Sequence, residues 1–391
     1  MESHTTLSHQ AEQWQSIREA VRKLCRDFPD TYWRDVDSQK RYPQEFIDQL
    51  TASGYLAALI PEEYGGAGLG IAEASIILEE INRSGGDSAA CHAQGYIMGT
   101  LLRHGSEEQK QRYLPLIAKG ELRLQTFAVT EPNVGSETTR IETRAVRKGD
   151  RYVVNGQKIF ISRVQQTDLM MLLARTTPYE ELKDKTQGLS VFLVDLREIK
   201  GNLEVRPQHL MINHHVSALF FDDVEIPAES LLGEEGRGFR YIMDGWNAER
   251  ILIAGEAVGD GRWFIERATS YARNRVVFGR PIGTNQAIQF PIAQAYAHIE
   301  AADLMRFAAA AKFERKEKCG AEANMAKLLA SEAAWEAANV CLTTYGGYGF
   351  ACDYDVERKF RESRLLSISP VSNNLVLAFL GQNVLGMPKS Y

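Results

Sequence analysis

Apolar residues recur at helical spacing near the start of the chain. Ala11 to Phe28 carries Trp14, Ile17, Val21 and Leu24, each three or four residues from the last, the stripe of an amphipathic helix. Ala72 to Ile81 repeats the pattern. Ser106-Glu-Glu-Gln109 is a capping box opening a helix over Glu107 to Ala118, with Gly120 as its stop. The run Pro61 to Gly70 between these stretches is a turn-rich loop. After residue 122 the period changes. Leu124 to Thr130 is extended in character, and Tyr152 to Ile161 places Asn155-Gly156 between β-type runs, a hairpin signal. Leu169 to Ala174, Leu189 to Val194, Leu203 to Arg206 and Ala218 to Phe221 complete a set of short strands. Helical periodicity returns over 238–275, 286–317, 320–345 and, more briefly, 372–384.

The expected fold class is α+β in three domains. An N-terminal helical domain covers 1–122, an antiparallel β-barrel or sandwich 123–235, and a C-terminal four-helix bundle 236–391. Composition agrees with a globular chain: 391 residues, 44% hydrophobic and 25% charged. The net charge of -6 argues against a general nucleic-acid binder, because phosphate contact needs a basic surface. The five cysteines form no CxxC pair, which removes the usual zinc and iron–sulfur patterns and suits a reducing compartment. The start, Met1-Glu-Ser-His, lacks an apolar signal segment, and no run of about 18 apolar residues occurs. The cytoplasm is the expected location, with a mitochondrial matrix enzyme shorn of its transit peptide left open. No P-loop, HExxH, GxSxG or Rossmann glycine fingerprint is present. His214-His215, read as strand neighbours, point to opposite faces, so no metal site is expected from them.

Three segments carry a specific combination: Phe127-Ala-Val-Thr-Glu-Pro-Asn-Val-Gly-Ser136, Arg275-Val-Val-Phe-Gly-Arg-Pro-Ile282 and Tyr345-Gly-Gly-Tyr-Gly-Phe350. In this order, on an α–β–α layout, they resemble the acyl-CoA dehydrogenase family of flavoenzymes. The resemblance implies FAD as cofactor, an acyl-CoA as substrate, an electron-transferring flavoprotein as acceptor, and a homodimer or homotetramer. It places Phe127, Val129, Thr130, Gly135 and Ser136 along the flavin and its pyrophosphate, with Ser136 also near the substrate. A second flavin-facing stretch, usually Trp-Ile-Thr, reads Phe160-Ile161-Ser162, keeping an aromatic face and a hydroxyl for flavin N5. Arg275, with Phe278 in the same motif, would reach the FAD diphosphate of a neighbouring subunit, and Gln286, Gly346, Gly347, Ser372 and Asn374 would also approach FAD.

The family's reaction needs a carboxylate to remove the α-proton. Most members carry that Glu near the C-terminus in an Ile-Tyr-Glu-Gly-Thr stretch; here the position holds Pro370, followed by Val371. A minority of the family, including isovaleryl-CoA and long-chain types, carries the Glu on another helix, and Trp246-Asn-Ala-Glu-Arg-Ile-Leu matches that run. Glu249 is therefore the expected base, with Asn247 and Arg250 beside it toward the substrate; Glu256 is the lesser candidate, and a solvated Glu at a helix start is the bland reading. Proline offers no N–H to the thioester carbonyl, so either Val371 N–H takes that role through a local shift or the carbonyl is held differently. The expected function is FAD-dependent oxidation of an acyl-CoA to the 2,3-enoyl-CoA. The alternative keeps FAD and acyl-CoA but performs desulfinase-like lyase chemistry or none. A DNA-associated role fits poorly, since residues 301–391 hold 11 Lys or Arg against 10 Asp or Glu.

Overall fold

The computed structural model describes residues 2–389. Helices run α1 Glu2–Cys25, α2 Asp30–Ser38, α3 Gln44–Ala52, α4 Ile71–Arg83, α5 Ala89–His104 and α6 Glu107–Ala118, then α7 Gly238–Asn274, α8 Gln286–Glu314, α9 Gly320–Tyr345, α10 Val356–Leu365 and α11 Asn373–Phe379. The strands of the middle segment are β1 Thr126–Ala128, β2 Arg144–Lys148, β3 Arg151–Ser162, β4 Leu169–Arg175, β5 Leu189–Asp195, β6 Lys200–Pro207, β7 Val216–Pro227 and β8 Leu231–Leu232. The chain divides into two compact units. The first takes the chain up to Phe46, Gly70–Ser88 and everything from Asn247 onward; the second takes Ile47–Leu69 and Ala89–Trp246.

In the second unit the strands follow the order β6-β7-β3-β2-β4-β5-β8. The sheet is mixed rather than purely antiparallel, since β1 pairs with β4 in parallel register. The pairings do not close into a barrel, and β6 and β8 stand at the ends. All seven residues of β4 and all seven of β5 are buried, because both faces of these strands are apolar. Leu169, Met171, Leu173, Val191 and Leu193 pack with Ile97, Leu101 and Leu114 of the helices. Met170, Leu172, Phe192 and Val194 pack with Tyr152, Val154, Leu219 and Phe221 on the other side. The capping box of α6 forms as expected: Gln109 N–H donates to Ser106 Oγ at 3.2 Å, and Ser106 N–H donates to Gln109 Oε1 at 3.0 Å.

The expected hairpin at Asn155-Gly156 is not a turn. β3 runs through it, and the register against β7 shifts between Val154 and Gly156, which is a bulge. Gly156 has φ +147, and a Cβ there would stand 2.6 Å from Thr143 Cα, so the dipeptide serves a close strand crossing. The turn lies instead at Gly149-Asp150, between β2 and β3. His214 and His215 are likewise not on a strand; they precede β7, and His215 has φ +48.

In the first unit α8 and α9 form a close helical pair. Ala323, Ala326, Ala330, Ala334 and Ala337 are buried along α9, and such small side chains let helices approach closely. α4 is buried on nearly every side rather than amphipathic. Its Glu79, fully buried, accepts from Arg18 at 2.6 Å and Arg306 at 2.7 Å and also pairs with Arg262. Burial, the largest single effect, pushes the Glu79 carboxyl up, but these guanidinium groups together outweigh it and hold the carboxyl well below its ordinary range. α10 was not expected: its sequence, Val-Glu-Arg-Lys-Phe-Arg-Glu-Ser-Arg-Leu, is too charged to show an apolar stripe, yet Arg358 and Lys359 are buried. No helix among the described residues is long and apolar enough to cross a membrane.

Candidate active site

The second unit gathers six of the expected flavin-facing residues at one place. β1 leads through Val129 and Thr130 into a tight turn in which Glu131 and Val134 exchange backbone hydrogen bonds of 3.0 and 3.1 Å. The Glu131 carboxylate, 6% exposed, accepts from Glu142 N–H at 2.7 Å, Thr143 N–H at 2.9 Å and Lys158 Nζ at 2.8 Å. Lys158 Nζ also donates to the Val129 carbonyl at 2.9 Å. Ile159 N–H donates to the Thr130 carbonyl at 2.9 Å, which sets Thr130 beside Phe160. Thr126 Oγ1 donates to the Ser162 carbonyl at 2.9 Å, which ties β1 to the end of β3. Phe127, Val129, Thr130, Phe160, Ile161 and Ser162 are thus brought together, and Gly135 and Ser136 follow on the exposed side of the turn.

Phe160 stands out within that group. It occupies the bulge between Lys158 and Ile161, has φ +58, and leaves its ring 55% exposed. A left-handed conformation in a bulky residue is strained, and such strain collects at ligand sites. The N–H of Phe160 donates to Gln208 Oε1 at 3.0 Å, which helps hold the geometry. An uncovered aromatic face beside hydroxyls at Thr130 and Ser162 fits a flat heteroaromatic ring.

The first unit carries the candidate base. Glu249 lies three turns inside α7 and is 3% exposed, which removes the reading of a solvated Glu at a helix start. Arg250 is 7% exposed, and its Nη1 donates to Asn247 Oδ1 at 3.3 Å. Burial lowers the Arg250 pKa, with Glu249 and Cys319 acting in the opposite direction. Lys327 of α9, fully buried, lies in the same field: burial and Arg250 push it down to about 8, while Glu249 pulls it up. Glu256 is engaged elsewhere, accepting from Ser88 Oγ at 2.8 Å.

Lys327 escaped the sequence reading, as did the clamp made by Glu131 and Lys158. Lys327 Nζ donates to Asn373 Oδ1 at 2.7 Å, and Ser331 Oγ donates to the same atom at 3.2 Å. These bonds fasten the start of α11, and so the segment Pro370-Val371-Ser372-Asn373-Asn374, to α9. The available signal was a single lysine in the alanine-rich run from Ala323 to Ala334. Pro370 and Asn374 are exposed, Ser372 caps α11 by accepting Leu375 N–H at 3.4 Å, and Val371 N–H makes no hydrogen bond among the described residues.

Arg275 and Phe278 lie on a hairpin formed by β9 Val276–Val277 and β10 Arg280–Pro281. Its tip, Phe278-Gly279, has positive φ at both residues, and the Phe278 ring is fully exposed. The Arg275 guanidinium stands 5.7 Å over the Tyr348 ring. A surface cavity of about 650 Å³ is lined by Arg275, Val277, Thr344, Gly346, Gly347 and Tyr348, among others. A Cβ added at Gly346 or Gly347 would meet open space, so nothing in this chain's own packing requires glycine at Gly347, and a ligand's close approach supplies a reason. An exposed guanidinium beside bare backbone fits the diphosphate of FAD. Gln286, at the first position of α8, is exposed and does not line this cavity. No group of three His, Cys, Asp or Glu side chains able to hold a metal occurs among the described residues.

Sequence models of the acyl-CoA dehydrogenase N-terminal, middle and C-terminal domains match residues 11–121, 126–224 and 236–384. The chain belongs to the acyl-CoA dehydrogenase family. Members of this family are FAD-dependent oxidoreductases. The acyl-CoA dehydrogenase FadE12 of Mycobacterium tuberculosis is 34% identical over 385 residues, covering 98% of each chain. The caffeyl-CoA reductase–Etf complex subunit CarC of Acetobacterium woodii is 34% identical, covering 89% of this chain and 93% of that one. Among solved structures, the glutaryl-CoA complex of glutaryl-coenzyme A dehydrogenase superposes with a TM-score of 0.89 at 29% identity, covering 97% of this chain and 96% of that one.

Proposed function

We propose that this family member oxidises an acyl-CoA thioester to the 2,3-enoyl-CoA with Glu249 as the base. The observation that carries the assignment is the buried carboxyl of Glu249 inside α7, flanked by Arg250 and Lys327, in a chain whose position 370 is proline. FAD supplies, when bound, the acceptor for the hydride that leaves the β-carbon. Glu249 takes the α-proton. Arg250 and Lys327 keep charge of the opposite sign near that carboxyl, and Asn247 orients Arg250. Val371 N–H donates to the thioester carbonyl in place of the N–H that Pro370 lacks. Lys327 and Ser331, through Asn373, hold the segment that presents Val371.

Thr130, Ser162 and Phe160 hold the isoalloxazine, with Phe127, Val129 and Ile161 behind them; Gly135 and Ser136 face the pyrophosphate, and Ser136 is shared with the substrate. Ser372 and Asn374 add contacts to FAD. Arg275, Phe278, Gln286, Gly346 and Gly347 serve the FAD of a second copy, so the working enzyme is a homodimer or homotetramer. The fully exposed Phe278 ring supports that reading, because a lone exposed aromatic at a rigid hairpin tip is a ready interface anchor. An electron-transferring flavoprotein takes the electrons, as the relation to an Etf-complex subunit suggests. The cytoplasm is the proposed compartment, in keeping with five free cysteines, and the boundaries after 122 and 235 remain the proposed domain division.

The test is anaerobic reduction of the purified yellow protein by a panel of acyl-CoA thioesters, read by loss of flavin absorbance. Bleaching by at least one thioester and its loss in Glu249→Gln are expected. Bleaching of Glu249→Gln at the rate of the unmodified enzyme overturns the assignment of the base. Sulfite release without acceptor consumption would instead establish the lyase reading.

A further inference from the structure

One ion pair buried in the first unit has no part in the chemistry assigned so far. Lys359 of α10 holds its ammonium against three acceptors: Asp260 Oδ1 of α7 at 2.6 Å, the Gly86 carbonyl at 3.0 Å and Glu362 Oε2 at 3.1 Å. An ammonium has three N–H bonds, so each one is used. The Lys359 and Asp260 side chains are 1% and 3% exposed. Asn82 of α4 completes the junction: its Nδ2 donates to Asp260 Oδ1 at 3.1 Å, and its Oδ1 accepts Ser88 N–H at 3.1 Å. Arg358 Nη2 donates to the Gly85 carbonyl at 2.9 Å. α10 is thus fastened at one place to α7 and to the turn after α4.

Both helices lead to the residues of the reaction. Asp260 lies eleven residues beyond Glu249 on the same α-helix, about 16 Å along its axis. α10 ends at Leu365, and the chain after it is drawn in by its own backbone. Ile368 and Ser369 N–H both donate to the Leu365 carbonyl at 2.9 Å, and Asn373 N–H donates to the Ser367 carbonyl at 3.1 Å. These bonds carry the position of α10 into the segment that presents Val371. The far end of that segment is fixed separately, by Lys327 and Ser331 on Asn373.

We propose that Asp260 and Lys359 are positioning residues, whose bond sets the distance between the Glu249 carboxyl on α7 and the thioester-holding segment at Val371. Apolar residues of the same volume would match a buried ion pair in stability. They would not match it in direction, because three aligned bonds to an ammonium fix one register between two helices. A small error in that register costs rate more than binding, since the base and the carbonyl donor must meet one thioester at the same moment. The proposal rests on the acyl-CoA reading above, and its test separates the two.

Asp260→Leu with Lys359→Met replaces the pair by apolar side chains of similar size. In the FAD-loaded enzyme Tm is expected to hold or rise, and binding of butyryl-, isovaleryl- and octanoyl-CoA to persist. Flavin reduction should slow about 10–100-fold. The infrared carbonyl stretch of the bound thioester, isotope-labelled at that carbon, should move back toward its value in free solution. Asp260→Asn alone keeps the Oδ1 acceptor and should return most of the rate. Should the apolar pair not fold, Asp260→Asn with Lys359→Gln takes its place under the same expectation. A folded double variant with the unmodified rate and carbonyl stretch overturns the proposal. So does a rate loss matched by equal losses of thioester binding and Tm, which reduces the pair to packing. Thioesters that bind with a shifted carbonyl yet never bleach the flavin remove the dehydrogenase reading, and the carbonyl stretch in the double variant then decides this proposal by itself.

Discussion

The Lys158 ammonium and the Glu131 carboxylate lie 2.8 Å apart, with side chains 0% and 6% exposed, and together they pin the loop bearing Thr130 to the strand bearing Phe160. A buried pair of this kind is worth little against an apolar replacement of both partners but much against loss of one. Lys158→Met is therefore expected to destabilise the apoprotein by about 3–5 kcal/mol. Glu131→Gln combined with Lys158→Met should recover part of that loss. Urea denaturation of the three variants measures it, and FAD affinity should fall in the same order as the loop loosens.

The same pair sets a pH dependence. Burial, the largest single effect, pushes Glu131 up, but Lys158 and the hydrogen bonds from Lys158, Thr143 and Glu142 N–H together outweigh it and hold the carboxyl below its ordinary value of 4.5. A lowered carboxyl stabilises the fold above its unfolded value, and this contribution is lost as pH falls through the folded value. Burial pushes Lys158 from 10.5 down to about 8, with Glu131 opposing. Between those two values the unfolded chain binds the extra proton, so this residue makes stability rise with pH across that window. Thermal melts should show the alkaline rise vanish in Lys158→Met and the acid loss weaken in Glu131→Gln.

Glu249→Gln keeps size and hydrogen bonding but removes the base. The rate of flavin reduction by the best thioester is expected to drop ~10²–10⁴-fold, while thioester binding persists. Stopped-flow reduction beside equilibrium binding separates the two effects.

Lys327 acts on the thioester segment through Asn373. Removing one hydrogen bond from a charged donor costs roughly 1.5–3 kcal/mol. Lys327→Met should therefore lower kcat with acyl-CoA more than it raises KM, since Val371 N–H is needed where charge develops on the carbonyl. Asn373→Ala should act in the same direction. An unchanged kcat beside a lowered Tm would reduce Lys327 to a packing role.

Arg275→Ala removes an exposed cation, so its fold stability should stay within about 0.5 kcal/mol of the unmodified chain. Its FAD dissociation constant should rise ~10–100-fold, the value of a charge-assisted contact to phosphate. Fluorescence titration of the apoprotein measures that. If Arg275 reaches a second copy's cofactor, diluting Phe278→Ala should also release flavin and lower the mass read by light scattering.

Much of this protein was determined locally. The stripe of α1, the capping box of α6 and the long periodic runs of α7, α8 and α9 are short-range patterns, and each formed where its residues placed it. The motifs around Thr130, Phe160, Arg275 and Gly346 were legible for the same reason: each is contiguous, with its residue types next to one another. Tertiary structure decided what depends on distant partners. Asn155-Gly156 carries the residues of a turn, yet β7 and Thr143 on either side made it a bulge. Glu249 looked the same in sequence as a solvated glutamate, and only the packing around α7 put its carboxyl out of water beside Lys327, 78 positions away in the chain. Lys359, Glu131 and Lys158 are ordinary surface residue types until the fold buries them. Local spacing governs backbone hydrogen bonding within a few residues, whereas the ionisation and reach of a side chain follow from water excluded by elements that the linear order keeps far apart.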